Sequence, residues 1–577
     1  MKFTRIAPTL SAAAALLLLV AVAAIALFGR TGAQAFMVAS ASPDASAAGI
    51  EILEAGGSAV DAAIAVQAVL SLVEPESSGL AGGAFLLHYD KRTGALDAWD
   101  GRETAPMAAQ PELFLGDDGQ PLDFLSAMVS GRSVGTPGVV RMMWEAHREY
   151  GVLDWADLFV PAIRLAEDGF AVAPKLAQAI ARDPVLKQMP VAQDYFFRRA
   201  ADGTRRPVGE GEMLTNPDYA ATLRAIAAQG ADGFYKGAVA EAIVDAVQNA
   251  PARPGTLSLD DFAAYQAVKR EAVCAPYRRY RVCSMPPPTS GGLTLLQILG
   301  ILENYDLAGM GPMTATAVHF IAEAEKLAYA DRDFYIGDPD FVEVPQAAML
   351  DRAYLKTRAE EIDASRTMGK ALPGVPPAQI RGEWRAGLSP ERASTTHFSI
   401  VDGRGNVVSM TSSVEGPFGA HLMAGGMMLN NQLTDFSFVP EEDGRMVANA
   451  VQPGKRPRSS MTPVIVFDAD DNFVLAIGSP GGPRIIGYVA KTLIALIDWE
   501  MGMEEAVALP HFLDRNGALE IEEGSTLEAL IPVLEQLGHR IEVRTLTSGL
   551  HGIAATAQGL DGAADPRRDG NVISGQR

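Results

Sequence analysis

The sequence predicts a mixed α+β protein. Three observations carry that prediction: helical patterning through residue 361, a loose Pro/Gly-rich arm over 365–394, and short alternating strands from 395 onward. With 577 residues, 48% of them hydrophobic and 20% charged, the chain has the composition of a globular protein with a large core, which excludes a disordered or fibrous one. Lysine and arginine total 48 against 70 aspartate and glutamate. The formal charge of −22 repels phosphate backbones and argues against nucleic-acid binding. The two cysteines are too few for a disulfide scaffold or a cysteine-rich metal or iron–sulfur centre.

Taken in order, the N-terminus is basic, then apolar, then small. Lys2 and Arg5 precede the apolar run 12–28, and Ala33-Gln34-Ala35 offers an A-x-A cleavage signal. This order predicts an export signal over 1–35 and a periplasmic or secreted protein; the alternative is an uncleaved membrane anchor, for which the run is short. The folded sequence then opens at Phe36. A helix is expected over 43–54, stopped by Gly56-Gly57, and a second over 58–73, apolar nearly all round and so buried. The glycines of 79–83 lead tightly into a strand at 84–89; without a following Gly-Lys-Ser/Thr they are not a phosphate-binding P-loop. Residues 152–361 read mostly as helices, clearest at 155–167, 219–229 and 314–330. Cys274 and Cys283 flank 276–280, which reads as a hairpin turn, so they form either a cross-strand disulfide or two buried free thiols. After the arm come strands at 395–401, 406–413, 462–467 and 473–477, then helices at 484–499 and 503–509.

Two kinds of chemistry are discounted. None of the eight histidines is spaced H-x-x-x-H, so no zinc motif is present. Gly131-Arg132-Ser133-Val134-Gly135 matches the serine-hydrolase elbow, but Gly135-Thr136-Pro137-Gly138 interrupts the helix that such an elbow requires.

A third kind survives. The turn Asp402-Gly403-Arg404-Gly405-Asn406 centres a hairpin on Arg404, which sets Ser413 across from Thr395. Directly opposed side chains share a face. That face also carries His397, Ser399, Ser409 and Thr411, while Phe398, Ile400, Val408 and Met410 take the other. Thr395 therefore heads a hydroxyl-rich face where the arm ends. A threonine hydroxyl needs an adjacent base, and its own α-amine serves once the chain is cut before it. Downstream, Gly478-Ser479-Pro480-Gly481-Gly482-Pro483 links a strand to a helix and presents backbone amides at the helix start, a setting for an acyl oxyanion.

Together these segments resemble the γ-glutamyltranspeptidase (γ-glutamyltransferase/glutathione hydrolase) family of N-terminal nucleophile hydrolases. The resemblance runs from Met37 to Pro566. Its carriers are 58–62, Gly101-Arg102-Glu103-Thr104-Ala105-Pro106, 285–292 (MPPPTSGG), Thr395-Thr396-His397, 429–437 (LNNQLTDFS), 457–463 (PRSSMTP) and 478–484 (GSPGGPR). It implies a four-layer αββα sandwich, no cofactor or metal, and autocatalytic cleavage between Ser394 and Thr395. The products would be a large subunit, 36–394, and a small one, 395–577, interwoven in one domain. By resemblance Thr395 is the nucleophile, Ser413 positions its hydroxyl, and Gly481 and Gly482 form the oxyanion site. Arg102, Ser459 and Ser460 hold the donor α-carboxylate, and Gln432 and Asp435 accept from its α-ammonium. The implied donor is glutathione or another γ-glutamyl compound; the acceptor is water, an amino acid or a peptide.

Three departures stand out. Position 413 is Ser where the family usually has Thr. Position 415 is Glu where many members have Asn, which keeps an acceptor for an ammonium. Residues 436–458 are short for a lid, which predicts an open pocket. Two other functions compete. An acylase for glutaryl-type amides would have little use for Asp435, and a silent exported binding protein would have lost Thr395 or the Gly-Gly loop.

Overall fold

The computed structural model describes residues 35–377, 385–387 and 394–576. Two antiparallel sheets lie face to face with helices on both outer sides, an αββα sandwich. The seven-stranded sheet runs, edge to edge, Asn571–Gln576, Ala35–Ser40, Thr396–Val401, Val407–Ser413, Gly83–Asp90, Ala95–Gly101 and Val268–Glu271. The six-stranded sheet runs Gly559–Ala564, His551–Thr556, Phe473–Gly478, Val464–Phe467, Tyr280–Ser284 and Val273–Tyr277.

The hairpin register is the one the turn predicts. Thr396 pairs Ser412, His397 pairs Thr411 and Val401 pairs Val407. Its two faces part as expected. Phe398, Ile400, Val408 and Met410 join the core under the outer helices Pro43–Glu54 and Ala59–Val73. The hydroxyl face points into the sandwich. There Ser399 Oγ donates to the His551 carbonyl (3.1 Å) and Ser409 Oγ to the Ile477 carbonyl (3.4 Å).

The first helix opens on Pro43, whose missing N–H costs nothing there, and has no side-chain cap. The second carries a capping box: Asp61 N donates to Ser58 Oγ (3.1 Å) and Ser58 N to Asp61 Oδ2 (2.8 Å). All fifteen of its residues are buried. On the far side Gly291–Leu302, Ala315–Tyr335 and Ile485–Ile497 cover the six-stranded sheet.

Residues 152–361 are mostly helical, and the hairpin between Cys274 and Cys283 forms as Val273–Tyr277 with Tyr280–Ser284; the strand Val268–Glu271 is not foreseen by the sequence, and together these supply an edge to each central sheet. Val268–Glu271 (VKRE) is half exposed, and an edge strand needs no apolar run, so its sequence carried no strand signal. Cys274 and Cys283 are joined by a disulfide across paired positions. The export signal lies, but for Ala35, outside the described residues. Among the described residues no helix is long and apolar enough to cross a membrane. The described parts of the arm are irregular, apart from bridges of Arg366 to Asp363 and of Arg385 to Val447.

Candidate functional site

Thr395 stands one residue before its strand, at the sandwich end where the arm arrives. Its hydroxyl contacts the Ser413 hydroxyl at 3.3 Å and lies against the Ser394 carbonyl oxygen. Ser413 Oγ reaches the same carbonyl at 3.4 Å and accepts from the Glu415 amide at 2.9 Å. Register alone brings these groups together, since residues 395 and 413 are the open ends of the hairpin. Arg568 Nη1 holds the Thr395 carbonyl at 3.1 Å.

A cleft with about 250 Å³ of empty space opens here. It is lined by Ser394, Thr395, Ser413, Glu415, Gln432, Asp435, Ser459, Ser460 and Gly482, with Met461 and Ile485. Eight of the ten positions singled out in the sequence therefore share one cavity, drawn from five separate segments. None of the lining residues comes from 436–458. That segment turns through a small exposed hairpin, Glu441–Glu442 with Arg445–Met446, and packs Phe436 and Phe438 against Phe114.

The remaining two positions sit just behind. Gly481, at φ 140°, turns the chain where a Cβ would meet the Tyr488 ring at 2.7 Å. Only glycine fits both demands. The amides of Gly481 and Gly482 have no acceptor among the described residues, and the helix Ile485–Ile497 follows them. Arg102 is fully buried behind Asp435. It donates to Asp435 Oδ2 through Nη2, to the Pro457 carbonyl through Nε (3.0 Å) and to the Arg458 carbonyl (3.1 Å). Its Nη1 has no hydrogen-bond acceptor among the described residues and lies 3.6 Å from Glu103 Oε2. Burial, opposed by Arg102, pushes the Glu103 carboxyl up to about 8.

The cleft is unequal in its polar groups. Gln432 gives Nε2 to Asp435 (3.1 Å), which leaves its buried carbonyl oxygen without a donor among the described residues. Glu415 accepts from Asn431 Nδ2 and is held at φ +79°, a region costly for a non-glycine residue. Such strain persists where surroundings fix it, commonly at working sites. So Glu415, the Gln432 carbonyl and Asp435 form a wall of acceptors. On the other side stand the hydroxyls of Ser459 and Ser460. Ser459 Oγ accepts from Met461 N (3.1 Å), and Ser460 Oγ from Arg332 Nη2 (2.7 Å).

Sequence reasoning missed Arg332, which binds Ser460 and, through Nε, Ser290 Oγ at 2.8 Å. It also missed Asn431 and Glu103. The available signal was charge: Glu323, Glu325, Lys326, Asp331 and Arg332 are all buried in the helix Ala315–Tyr335, and buried charges need partners.

One histidine cluster has ligand-like spacing. His319, Glu323 and His539 bring ligand atoms within 4.8 Å of one another. Most of the cluster's ligand atoms already have partners, His539 Nδ1 excepted. His319 Nδ1 bonds His539 Nε2 (2.7 Å), and Glu323 accepts from Lys326 Nζ (2.8 Å), Thr367 Oγ1 (2.6 Å) and Met368 N (2.7 Å). The Lys326 ammonium already neutralises Glu323, and the bonds of Glu323 to Thr367 and Met368 tie down the start of the arm.

The chain is similar to known proteins along nearly its whole length. A glutathione hydrolase proenzyme of Escherichia coli is 39% identical over 95% of this chain and 93% of its own. An acylase ACY 1 proenzyme of a Pseudomonas species is 36% identical over 93% of each chain. The crystal structure of a cephalosporin acylase from Bacillus halodurans superposes with a TM-score of 0.81 at 29% identity, over 94% of this chain and 96% of that one. Residues 45–575 match the family described as gamma-glutamyltranspeptidase, and the chain belongs to that family.

Proposed function

We propose that this chain is an autoprocessed γ-glutamyltransferase and glutathione hydrolase. It transfers the γ-glutamyl group of glutathione and related compounds to water or to amino-acid and peptide amines. In the precursor, Thr395 Oγ1 attacks the Ser394 carbonyl carbon against which it lies. The peptide bond becomes an ester, and water releases the Ser394 carboxylate. Thr395 then carries a free α-amine, which takes the proton from its own hydroxyl in each later attack. Ser413, in contact with both the hydroxyl and the scissile carbonyl, orients the two.

For turnover, Arg102, Ser459 and Ser460 bind the donor α-carboxylate, and Glu415, Gln432 and Asp435 accept from its α-ammonium. The amides of Gly481 and Gly482 receive the oxyanion, where fixed dipoles stabilise developing charge without reorganising. The acyl-Thr395 ester is released by water or by an amine.

Relatives of both kinds, hydrolase and acylase, are similarly close, so overall similarity does not choose between donors. The wall of acceptors carries the choice. Glu415, the undonated Gln432 carbonyl and Asp435 offer acceptors to a cation on the donor, which a γ-glutamyl group has and a glutaryl group lacks. The test pairs γ-glutamyl-p-nitroanilide with glutaryl-p-nitroanilide. Faster turnover of the γ-glutamyl compound is expected; faster turnover of the glutaryl compound would reassign the protein as an acylase. N-terminal sequencing of the smaller band on a denaturing gel should read Thr-Thr-His-Phe.

A further inference from the structure

Residues 285–292 and 457–463 lie against one another behind the serine side of the cleft. Ser459 N donates to the Pro288 carbonyl (3.1 Å), and Ser290 N to the Ser459 carbonyl (2.8 Å). Thr289 Oγ1 donates to the Met461 carbonyl (2.7 Å). A Cβ on Gly291 would come within 2.5 Å of that same carbonyl, so glycine lets the two segments meet. Ser290 stands at the start of the helix Gly291–Leu302, yet its hydroxyl caps no amide of that helix. Serine at a helix start is favoured because it caps. Here the hydroxyl is diverted and donates to the Ser459 carbonyl at 2.7 Å.

Arg332 holds it there. This arginine lies in the last turn of the helix Ala315–Tyr335 and is buried. Its Nε donates to Ser290 Oγ (2.8 Å), its Nη2 to Ser460 Oγ (2.7 Å) and its Nη1 to Asp333 Oδ1 (2.7 Å). One planar fork thus grips two serine hydroxyls from behind, while Arg332 itself is absent from the cleft lining. The grip has a chemical consequence. A serine hydroxyl has one proton and two lone pairs, and a guanidinium only donates. Ser460 therefore accepts from Arg332 and keeps its proton to give. A carboxylate only accepts, so this side of the cleft is set to meet an anion, opposite in polarity to the acceptors Glu415, Gln432 and Asp435.

We propose that Arg332 is a positioning residue for donor recognition: it orients the Ser460 hydroxyl as a hydrogen-bond donor to the donor carboxylate and, through Ser290, fixes the turn that carries Ser459 and Ser460. It does so without touching the donor. This rests on the donor orientation proposed above. Lysine in its place keeps the charge and loses the fork, so a single ammonium cannot hold Ser290 and Ser460 in the same geometry.

The experiment is a double-mutant cycle of Arg332→Lys and Ser460→Ala, read as KM and kcat for γ-glutamyl-p-nitroanilide and glutaryl-p-nitroanilide, which both carry the carboxylate. Arg332→Lys should raise KM about tenfold for both donors and change kcat less than about twofold, because it weakens binding rather than chemistry. In the Ser460→Ala background the same substitution should add less than about threefold, since its route to the donor is already gone. An equal rise in both backgrounds would make Arg332 merely structural, and no rise at all would also overturn the proposal. Ser290→Ala removes the second grip and leaves Arg332 in place; it should raise KM about fivefold. Should Arg332→Lys fail to cleave itself, Ser290→Ala decides, and an unchanged KM there overturns the proposal. Donor preference in the unaltered enzyme tests the parent reading separately: faster turnover of the glutaryl compound sinks that reading, whereas the cycle is scored on whichever donor turns over.

Discussion

Ser413→Ala probes the junction of processing and catalysis. The hydroxyl makes three contacts: Thr395 Oγ1 at 3.3 Å, the Ser394 carbonyl at 3.4 Å, and the Glu415 amide at 2.9 Å. The first two are long for O–H···O bonds, so each sits at the weak end of the usual 0.5–1.5 kcal/mol. Together they amount to about 1–2 kcal/mol, which is roughly a 5- to 30-fold loss of rate. The third is well formed, and its loss leaves a buried N–H unsatisfied at about 1–3 kcal/mol. That cost falls on Glu415, already at φ +79°, and so on donor binding. The variant should therefore cleave itself and turn over slowly, with both rates reduced and donor KM raised. Band intensities on a time-course gel give the processing rate, and p-nitroaniline release gives kcat and KM. Ser413→Thr keeps the oxygen and should restore the rates. Unimpaired processing and turnover in Ser413→Ala would refute the positioning role; failure of Ser413→Thr to rescue would show that packing, not the hydroxyl, is at stake.

Three further outcomes follow. Asp435→Asn should raise the KM for γ-glutamyl-p-nitroanilide about tenfold or more while sparing glutaryl-p-nitroanilide, because only the former brings an ammonium; equal losses on both would remove Asp435 from ammonium recognition. Glu103, with its carboxyl raised from 4.5 to about 8 by burial, gives stability that is complete below 4.5 and lost as pH rises through about 8. Glu103→Gln should remove a slope of about 1.4 kcal/mol per pH unit in that window, and parallel urea midpoints at pH 5 and 8 in the two proteins would contradict this. Cys274→Ser opens a bridge spanning nine positions at the edge of the six-stranded sheet, which should cost about 2.5 kcal/mol of stability and leave kcat unchanged; a fall in kcat at a temperature where the protein stays folded would tie that edge to the site.

What the sequence disclosed depended on the range of the physics involved. The Thr396–Ser412 pairing was legible because one turn and a period of two fix it locally. Gly481 was legible as a backbone requirement, although its contact with Tyr488 was not. The disulfide was left as one of two possibilities, since spacing gives no geometry. Arg332 was invisible because it meets Ser460 across 128 positions, and a helical pattern reports a face without its partner. Arg102 was found through resemblance, yet its burial behind Asp435, with the Glu103 carboxyl 3.6 Å away, is a product of folding. The strand Val268–Glu271 was lost for the same reason: its pairing with Ala95–Gly101 is non-local, and its residues prefer nothing strongly.

The strand order also explains how a protein could survive the proposed cut. In the seven-stranded sheet, Ala35–Ser40 lies between Asn571–Gln576 and Thr396–Val401, and Val407–Ser413 pairs with Gly83–Asp90. In the six-stranded sheet Val464–Phe467 pairs with Tyr280–Ser284. Segments before and after residue 395 thus interleave in the seven-stranded sheet and meet at one junction in the six-stranded sheet. The bond between Ser394 and Thr395 lies outside every one of these strands, so breaking it removes no ladder hydrogen bond. Separating the halves would break four strand pairings and expose the core between them, far more than a domain's marginal stability allows. The proposed cut would therefore be free to serve chemistry alone: it would make an amine at the head of the hydroxyl-lined face, beside a cleft whose other walls are already in place.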